Sequence, residues 1–222
     1  MRISPLVRIG ALTAALCLCI QGQNTQSKDA PNEAKGIPPR ASPAEYPAHG
    51  QAGALTIAAE FSGHSVPTSR GPLATEDYVV IEIGLFGPAG ARAAVSSADF
   101  SVRINGKKPL PTQPFGLVAG SVKDPEWEPP EAAESKSKTK LSSGGQGEQG
   151  GGSTPPPPPK PPIATQREWA QRVQKAALPE GDRPLPEAGL IFFLYRGKVQ
   201  NIDSIELTYA GATGKVTLAL QP

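Results

Sequence analysis

The chain has 222 residues, 26 of them proline and 24 glycine, and it carries 22 Lys and Arg against 20 Asp and Glu. A nucleic-acid-binding protein shows a basic excess or a basic stripe, so this near-neutral balance argues against a nucleic-acid partner. With two cysteines and two histidines, the chain offers few ligands for a dedicated zinc site, and no metal or cofactor is predicted.

The first 22 residues have the order of a secretory signal peptide. Arg2 and Arg8 precede an apolar run over residues 9–20, and the polar sequence QGQ follows it. The run is shorter than the roughly 20 apolar residues that span a bilayer. We therefore expect cleavage near Gly22 and a mature chain without a transmembrane span, without cysteine and with equal numbers of basic and acidic residues.

Lipid anchoring is the alternative to simple cleavage, because Cys17 and Cys19 lie late in the apolar run. Each of them follows a leucine, whereas a lipoprotein signal has a small residue at that position. The sequence thus predicts a secreted or periplasmic protein, with a lipid-anchored form as the alternative.

Residues 23–52 are rich in Pro, Ala, Gly and polar residues and show no apolar periodicity, so they are predicted to be a disordered tether. Strand patterns begin after this segment. The predicted strands of the first part are 54–61, 77–86, 99–104 and, more weakly, 115–122. Asn105 and Gly106 follow the third strand and predict a tight turn with positive φ at both positions.

Residues 123–165 form a low-complexity segment with ten prolines and with Trp127 as its one aromatic residue. Its opposed charge blocks, 124–134 and 135–140, are interpreted as a solvated stretch, with an interaction tail as the alternative. The run PPPPPKPP is interpreted as a polyproline II spacer, with a ligand for an aromatic groove as the alternative. Trp127 is the residue of this segment that we expect to dock onto the fold or onto a partner.

The second part of the chain contains one helix pattern and three strand patterns. Trp169, Val173 and Ala177 recur every four residues and predict a short amphipathic helix over 165–178. Thr165 and Glu168 match a capping box at its start. The predicted strands are 189–195, 203–209 and 215–220, and the sequence AGATG joins the last two as a hairpin.

Residues 53–122 and 166–222 are each near the size at which an independent core is marginal, about 60 residues. Together they supply about seven strands, which fits one immunoglobulin-like β-sandwich of about 100 residues. Loop-closure entropy grows only logarithmically with length, so 123–165 is predicted to be a disordered insertion in that sandwich, with an interdomain linker as the alternative. The predicted fold class is all-β, with one short helix.

The strand sequences EDYVVIEIGLFGP, VSSADFSVRINGKK and GLIFFLYRGKVQNIDSIELTY resemble bacterial secreted immunoglobulin-like domains with telomeric-repeat-binding-factor-like topology. The resemblance covers residues 76–108 and 189–220. It departs from the family at GPAGARAA, where an Asn-rich turn is usual, and in the proline-rich insertion. The resemblance implies a sandwich fold and an envelope location, and the family is mostly uncharacterised in function.

Motifs that would carry chemistry are incomplete. The sequence GATGKV (211–216) lacks the first Gly and the final Ser or Thr of a phosphate-binding loop, so a hairpin is predicted there. His49 lies in the predicted tether. His64 lies between Ser62 and Ser65, but the nucleophile-elbow motif is missing, so no catalytic Ser–His pair is predicted.

Two functions remain open from the sequence. The first is a non-catalytic binding or structural module of the cell envelope, with a protein or a polysaccharide as its partner. The second is a carboxylate- or metal-dependent accessory hydrolase that uses Glu60, Asp77 and Glu82. These carboxylates lie at or near predicted strand edges, where solvated charges are ordinary. The sequence therefore favours the binding module and predicts no catalytic, cofactor-binding or metal-binding residue.

Overall fold

A computed structural model describes residues 36–128 and 160–222. The predicted signal peptide with Cys17 and Cys19, residues 23–35 of the predicted tether and residues 129–159 of the predicted insertion lie outside the described residues. The helices are α1 (Phe115–Ala119) and α2 (Ile163–Ala176). The strands are β1 (Ala48–Ala52), β2 (Leu55–Phe61), β3 (Ser65–Val66), β4 (Leu73–Ala74), β5 (Tyr78–Phe86), β6 (Arg92–Val95), β7 (Phe100–Ile104), β8 (Leu110–Gln113), β9 (Gly181–Pro184), β10 (Glu187–Leu194), β11 (Ile205–Gly211) and β12 (Gly214–Leu220).

Eight of these strands form one antiparallel sheet in the order β1-β2-β5-β10-β8-β7-β11-β12. The two end strands, β1 and β12, contact each other, so the sheet is nearly closed into a barrel. β3 pairs with β4, and β6 pairs with β9, as separate two-stranded ladders. The all-β prediction is confirmed at this level, and the immunoglobulin-like sandwich stays a prediction.

Strands from both sides of residues 123–165 pair with each other. β5 pairs with β10 from Tyr78↔Leu194 to Leu85↔Glu187. β7 pairs with β11 in the same way. The sheet is therefore built from both parts of the chain, which is the arrangement expected of an insertion and not of two domains joined by a linker.

β5 is an interior strand of the sheet, between β2 and β10, and all nine of its residues are buried. Its odd-numbered residues, such as Ile81 and Ile83, belong to the interior core. Its even-numbered residues lie on the outer face, where Val80 packs in a second cluster with α2. Burial on both faces explains why this strand reads as a nearly continuous apolar run, and each buried Val or Ile contributes about 1.5–3 kcal/mol to stability.

Six of the seven predicted strands are confirmed, as β2, β5, β7, β10, β11 and β12. The turn prediction also holds, because Asn105 has φ 52° and Gly106 has φ 66°. Residues 211–216 form the end of the β11–β12 hairpin, as predicted. Six strands were not predicted (β1, β3, β4, β6, β8 and β9). β1 has five residues without apolar alternation, and the other five have four residues or fewer, too short for a periodic pattern.

The strand predicted over 115–122 is wrong, because Phe115–Ala119 is the short helix α1. β8 already supplies the sheet position beside β7. Pro114 then stands at the helix N-cap and Gly120 at its C-cap. Val118 is the buried residue of this helix, and it packs in the same cluster as α2.

α2 confirms the predicted helix, although it begins at Ile163. Trp169 and Val173 are buried against the outer face of the sheet. The predicted capping box is wrong, because Thr165 lies within the first turn and Glu168 pairs with Arg70 at 2.9 Å. Proline is favoured where a helix starts, and the prolines at 161–162 place the start of α2 at Ile163, two residues before the predicted start. In the described part of the chain, no helix has the length and apolar character needed to cross a membrane.

The predicted tether is wrong for residues 36–52. β1 pairs with β2 along its whole length, and Tyr46 has 3% of its surface exposed. Ala52 is the one buried residue of β1, and the strand sequence AHGQA has no large apolar side chain, so the strand left no hydrophobic pattern. At Gly50, a Cβ atom would lie 2.8 Å from the Val216 side chain of β12, so glycine allows the two end strands to approach each other.

The start of the predicted insertion packs onto α2. Asp124 forms an ion pair with Arg172 at 3.0 Å, and both side chains are largely buried. The ring of Trp127 meets the ring of Trp169 edge-on, with 6.2 Å between the centroids. The expectation of a solvated stretch is therefore wrong for these first residues, and docking of Trp127 onto the fold is confirmed.

Candidate functional site

Two of the three carboxylates considered for a hydrolytic site are close together. Glu60 on β2 and Glu82 on β5 are directly opposite each other in the strand register. Asp77 lies five residues before Glu82, which corresponds to about 17 Å along an extended chain. It accepts a hydrogen bond from Arg196 Nε at 2.8 Å. Asp77 is thus not part of the Glu60–Glu82 pair.

Arg40 bridges this pair of carboxylates. Its Nη2 contacts Glu60 Oε2 and lies 3.2 Å from Glu82 Oε2. Its Nη1 donates to the carbonyl oxygen of Glu45 at 2.7 Å, and its guanidinium carbon lies 4.2 Å from the centroid of the Tyr46 ring. A glycosidase-type carboxylate pair holds a substrate, and often a water, between its two groups. Here one guanidinium group is bound to both carboxylates, so the arrangement is an ion-pair network.

Tyr46 covers the sheet beside Arg40. Its ring lies on Gly84, where a Cβ atom would come within 2.7 Å of the ring, and it meets Phe86 edge-on at 6.0 Å. The Tyr46 hydroxyl is buried and has no hydrogen-bond partner among the described residues. Burial, together with the negative charge of Glu82, raises the pKa of Tyr46 to about 12.

The histidines do not form a catalytic arrangement with the nearby serines. His64 Nδ1 lies 2.7 Å from the carbonyl oxygen of Tyr78, and Nε2 lies 2.8 Å from that of Gly197. Both ring nitrogens therefore contact backbone, and neither is directed at Ser62 or Ser65. His49 is exposed on β1. Within residues 36–128 and 160–222, no group of three His, Cys, Asp or Glu side chains could hold a metal ion.

A cavity of about 700 Å³ lies at the place where the sheet is least complete. β8 pairs with β10 only at Phe192 and Phe193. The residues of β10 before Phe192 have no strand beside them on that side in the described structure. The segment that follows α2 covers part of this open edge. Leu178 N donates to the carbonyl oxygen of Leu190 at 2.9 Å. The cavity occupies the remaining space between α2, β10 and the start of α1.

The cavity has an apolar floor and a polar rim. Ala188, Leu190 and Phe192 of β10 contribute to the floor. Polar side chains surround it; they are Ser97, Gln113, Gln171, Gln174, Lys175, Glu180, Arg183 and Glu187. An apolar cavity of 300–1,000 Å³ with a few placed polar groups is typical of a ligand site.

The side chain of Glu180, on this rim, is held in place by two hydrogen bonds. Its Oε1 accepts hydrogen bonds from the backbone N of Ser97 at 3.0 Å and from Ser97 Oγ at 2.6 Å. Its carbonyl oxygen accepts a hydrogen bond from Arg183 Nε at 3.0 Å. Burial and, to a smaller extent, the charge of Glu180 raise the pKa of the nearby Asp99.

Exposed apolar side chains lie on α1, the helix whose first residue lines the cavity. Phe115 lines the cavity and is 40% exposed, and Leu117, also on α1, is 56% exposed. Large apolar residues with so much exposure are informative when they lie beside a cavity. Sequence reasoning missed this site because it assigned α1 to a strand and did not detect β8.

Comparisons of the chain with protein families, with curated proteins and with solved structures give no match. The function is therefore inferred from the cavity and from the polar cluster around Arg40.

Proposed function

We propose that this protein is an exported, non-catalytic binding module of the cell envelope and that the cavity beside α2 is its ligand site. The observation that carries the proposal is the cavity itself, about 700 Å³ in volume with an apolar floor and a polar rim. Such a volume lies within the range of ligand sites, and the exposed Phe115 side chain extends its apolar surface.

The rim favours a partner that offers both apolar groups and hydrogen-bonding groups. Gln113, Gln171 and Gln174 each carry a donor and an acceptor. The ionisable side chains of the rim are two acidic and two basic ones, so the site does not select a ligand of one charge. A protein segment or a polysaccharide of the envelope fits this chemistry.

The hydrolase alternative gains no support from the carboxylates. Glu60 and Glu82 are both bound by Arg40, and Asp77 is paired with Arg196. Turnover of an ester or a glycoside by the purified protein, lost on Glu82→Gln, would nevertheless establish this alternative over the binding module.

Export rests on the sequence of the first 22 residues. We expect the mature chain to begin between about Gln21 and Gln26 and to be secreted or periplasmic. N-terminal sequencing of the exported protein tests this. A lipid-modified start at Cys17 or Cys19 would show a membrane-anchored protein, and an intact Met1 in the cytoplasm would overturn export.

An immunoglobulin-like sandwich is the finer description of the fold that we propose. β1, β2, β5 and β10 form one half of the sheet, and β7, β11 and β12 form the other, with β8 between them. Residues of both halves contribute to the same interior core, as in a sandwich. An experimental structure compared strand by strand with immunoglobulin-like domains would decide it.

Site-specific photo-crosslinking tests the ligand site directly. A photoreactive amino acid at Gln174, which lines the cavity, is compared with the same amino acid at Gln166, an exposed residue of α2 that is not in the lining. In whole cells we expect a discrete cross-linked product from position 174 only. Equal products from both positions, or none from position 174, would contradict a partner at the cavity.

A further inference from the structure

A second polar arrangement surrounds the guanidinium group of Arg40, and none of its members lines the cavity. Residues 36–47 lie ahead of β1, and two parts of this segment contact the outer face of β2 and β5. We name residues 36–41 the arm, which carries Arg40. The second part carries Glu45 and Tyr46, and Tyr46 is held in the pocket formed with Ala58 and Phe86.

Arg40 meets four groups that each favour a guanidinium ion. Two are the carboxylates of Glu60 and Glu82, the third is the carbonyl oxygen of Glu45, and the fourth is the face of the Tyr46 ring. Carboxylates and carbonyls accept hydrogen bonds from the guanidinium fork, and an aromatic face attracts its charge. An ammonium group has neither the fork nor the flat surface, so it fits these partners less well.

The two carboxylates are held independently of the arm, whereas Glu45 accepts a hydrogen bond from the arm residue Ala41. Glu60 and Glu82 are fixed by the β2–β5 register, which places two like charges directly opposite each other. Such a pair is destabilising unless a cation neutralises it. The Tyr46 ring is held against Gly84 and Phe86, and its buried hydroxyl has no partner among the described residues. An aromatic face fixed beside an acidic pair is suited to a planar cation.

We propose that Glu60, Glu82, the Tyr46 ring and the Glu45 carbonyl form a guanidinium-binding site that Arg40 occupies from the same chain. The arm is then an internal ligand, and an arginine side chain of a partner is the group that can replace it. This inference does not depend on the cavity or on the proposed function.

Chemical complementation of Arg40→Ala tests the proposal. Thermal unfolding is followed while guanidinium chloride is added at low millimolar concentration, with ammonium chloride and sodium chloride at equal ionic strength as controls. We expect guanidinium alone to raise the Tm of Arg40→Ala in a saturable way by about 2–4 °C. Nα-acetyl-arginine amide is expected to act in the same way, and Nα-acetyl-lysine amide is not.

Three proteins serve as controls. The wild type has its site filled, and Arg40→Ala/Glu82→Gln lacks one carboxylate, so neither should show the saturable rise. Arg103→Ala removes an exposed arginine that also pairs with a glutamate on a neighbouring strand, Glu206, and it should not respond either. No rise in Arg40→Ala, or an equal rise in all four proteins, would overturn the proposal.

If Arg40→Ala is isolated unfolded, the same comparison is made by refolding. The protein is diluted from urea with guanidinium or with ammonium at equal concentration, and the folded fraction is measured by circular dichroism. A higher folded fraction with guanidinium supports the site, and equal fractions overturn it.

Discussion

The outer face of β5 is covered in two physically different ways along its length. Beneath α2, Val80 belongs to an apolar cluster with Trp169 and Val173. A few residues farther along the same strand, Glu82 contacts Arg40 and Gly84 contacts the Tyr46 ring. One cover is an amphipathic helix, and the other is an irregular segment that relies on one cation and one aromatic ring.

This difference explains why the position of α2 on the sheet could be predicted from the sequence, whereas the packing of residues 36–47 could not. The apolar residues of α2 repeat with the helical period, so their burial is visible as a pattern. In residues 36–47, Arg40 contacts neighbours within the segment as well as Glu60 and Glu82 far along the chain, at no regular spacing. Such contacts leave no period, and the segment has the composition of a linker.

The largest expected loss of stability comes from disrupting the apolar cluster beneath α2. Trp169→Ala should lower the free energy of unfolding by about 3–5 kcal/mol, because it empties a buried site between α2 and the sheet. Urea unfolding measures the change. Leu117→Ala, at an exposed position of α1, is the control and should stay within about 0.5 kcal/mol of the wild type. Similar losses in both variants would mean that α2 is not part of the core.

The ion-pair network of Arg40 should contribute less to the free energy of unfolding than the apolar cluster beneath α2 does. Arg40→Ala is expected to cost about 2–3 kcal/mol, because it leaves the largely buried Glu82 opposite Glu60 without a cation. Arg103→Ala removes a more exposed pair with Glu206 and should cost at most about 1 kcal/mol. If urea unfolding gives the same loss for the two variants, the Arg40 network is an ordinary surface ion pair.

Trp127→Ala connects the comparison to the predicted insertion. The edge-on contact with Trp169 leads us to expect a loss of about 1 kcal/mol in the free energy of unfolding. A double-mutant cycle with Trp169→Ala measures the coupling between the two rings. Additive losses would show that the rings do not interact in solution.

Tyr46→Phe should give the smallest effect and distinguishes the ring from its hydroxyl. The variant keeps the ring contacts and removes an unpaired buried hydroxyl, so at neutral pH we expect no loss, or a gain of up to about 1 kcal/mol. A loss of more than this amount would show that the hydroxyl has a partner.

The pH dependence of the same variant is a separate check. The pKa of Tyr46 is raised to about 12 in the folded state, so the folded protein holds this proton more tightly than the unfolded chain. Its contribution to stability is complete below pH 10 and is lost as the pH rises from 10 to about 12. Urea unfolding across this range should show a steeper fall for the wild type than for Tyr46→Phe.

The regular elements of the fold were predictable, and the sites were not. β5, β10 and α2 were identified because each is long enough to show a hydrophobic pattern. The cavity depends on where β8 ends relative to β10, and β8 is a four-residue strand with no clear alternation. The sequence singles out Glu60 and Glu82 as acidic residues, but only the strand register reveals that they face each other, and only the contacts show that they share Arg40.

Gly50 determines how closely the first and last strands of the sheet can approach each other. It lies on the first strand and faces Val216 of the last strand, where even one added methyl group would come within 2.8 Å. The distance between β1 and β12 at this point is therefore limited by the hydrogen atom of Gly50 on one side and by the branched side chain of Val216 on the other. A methyl group at position 50 would act as a wedge, because close-packed interiors absorb added volume only by displacing their neighbours.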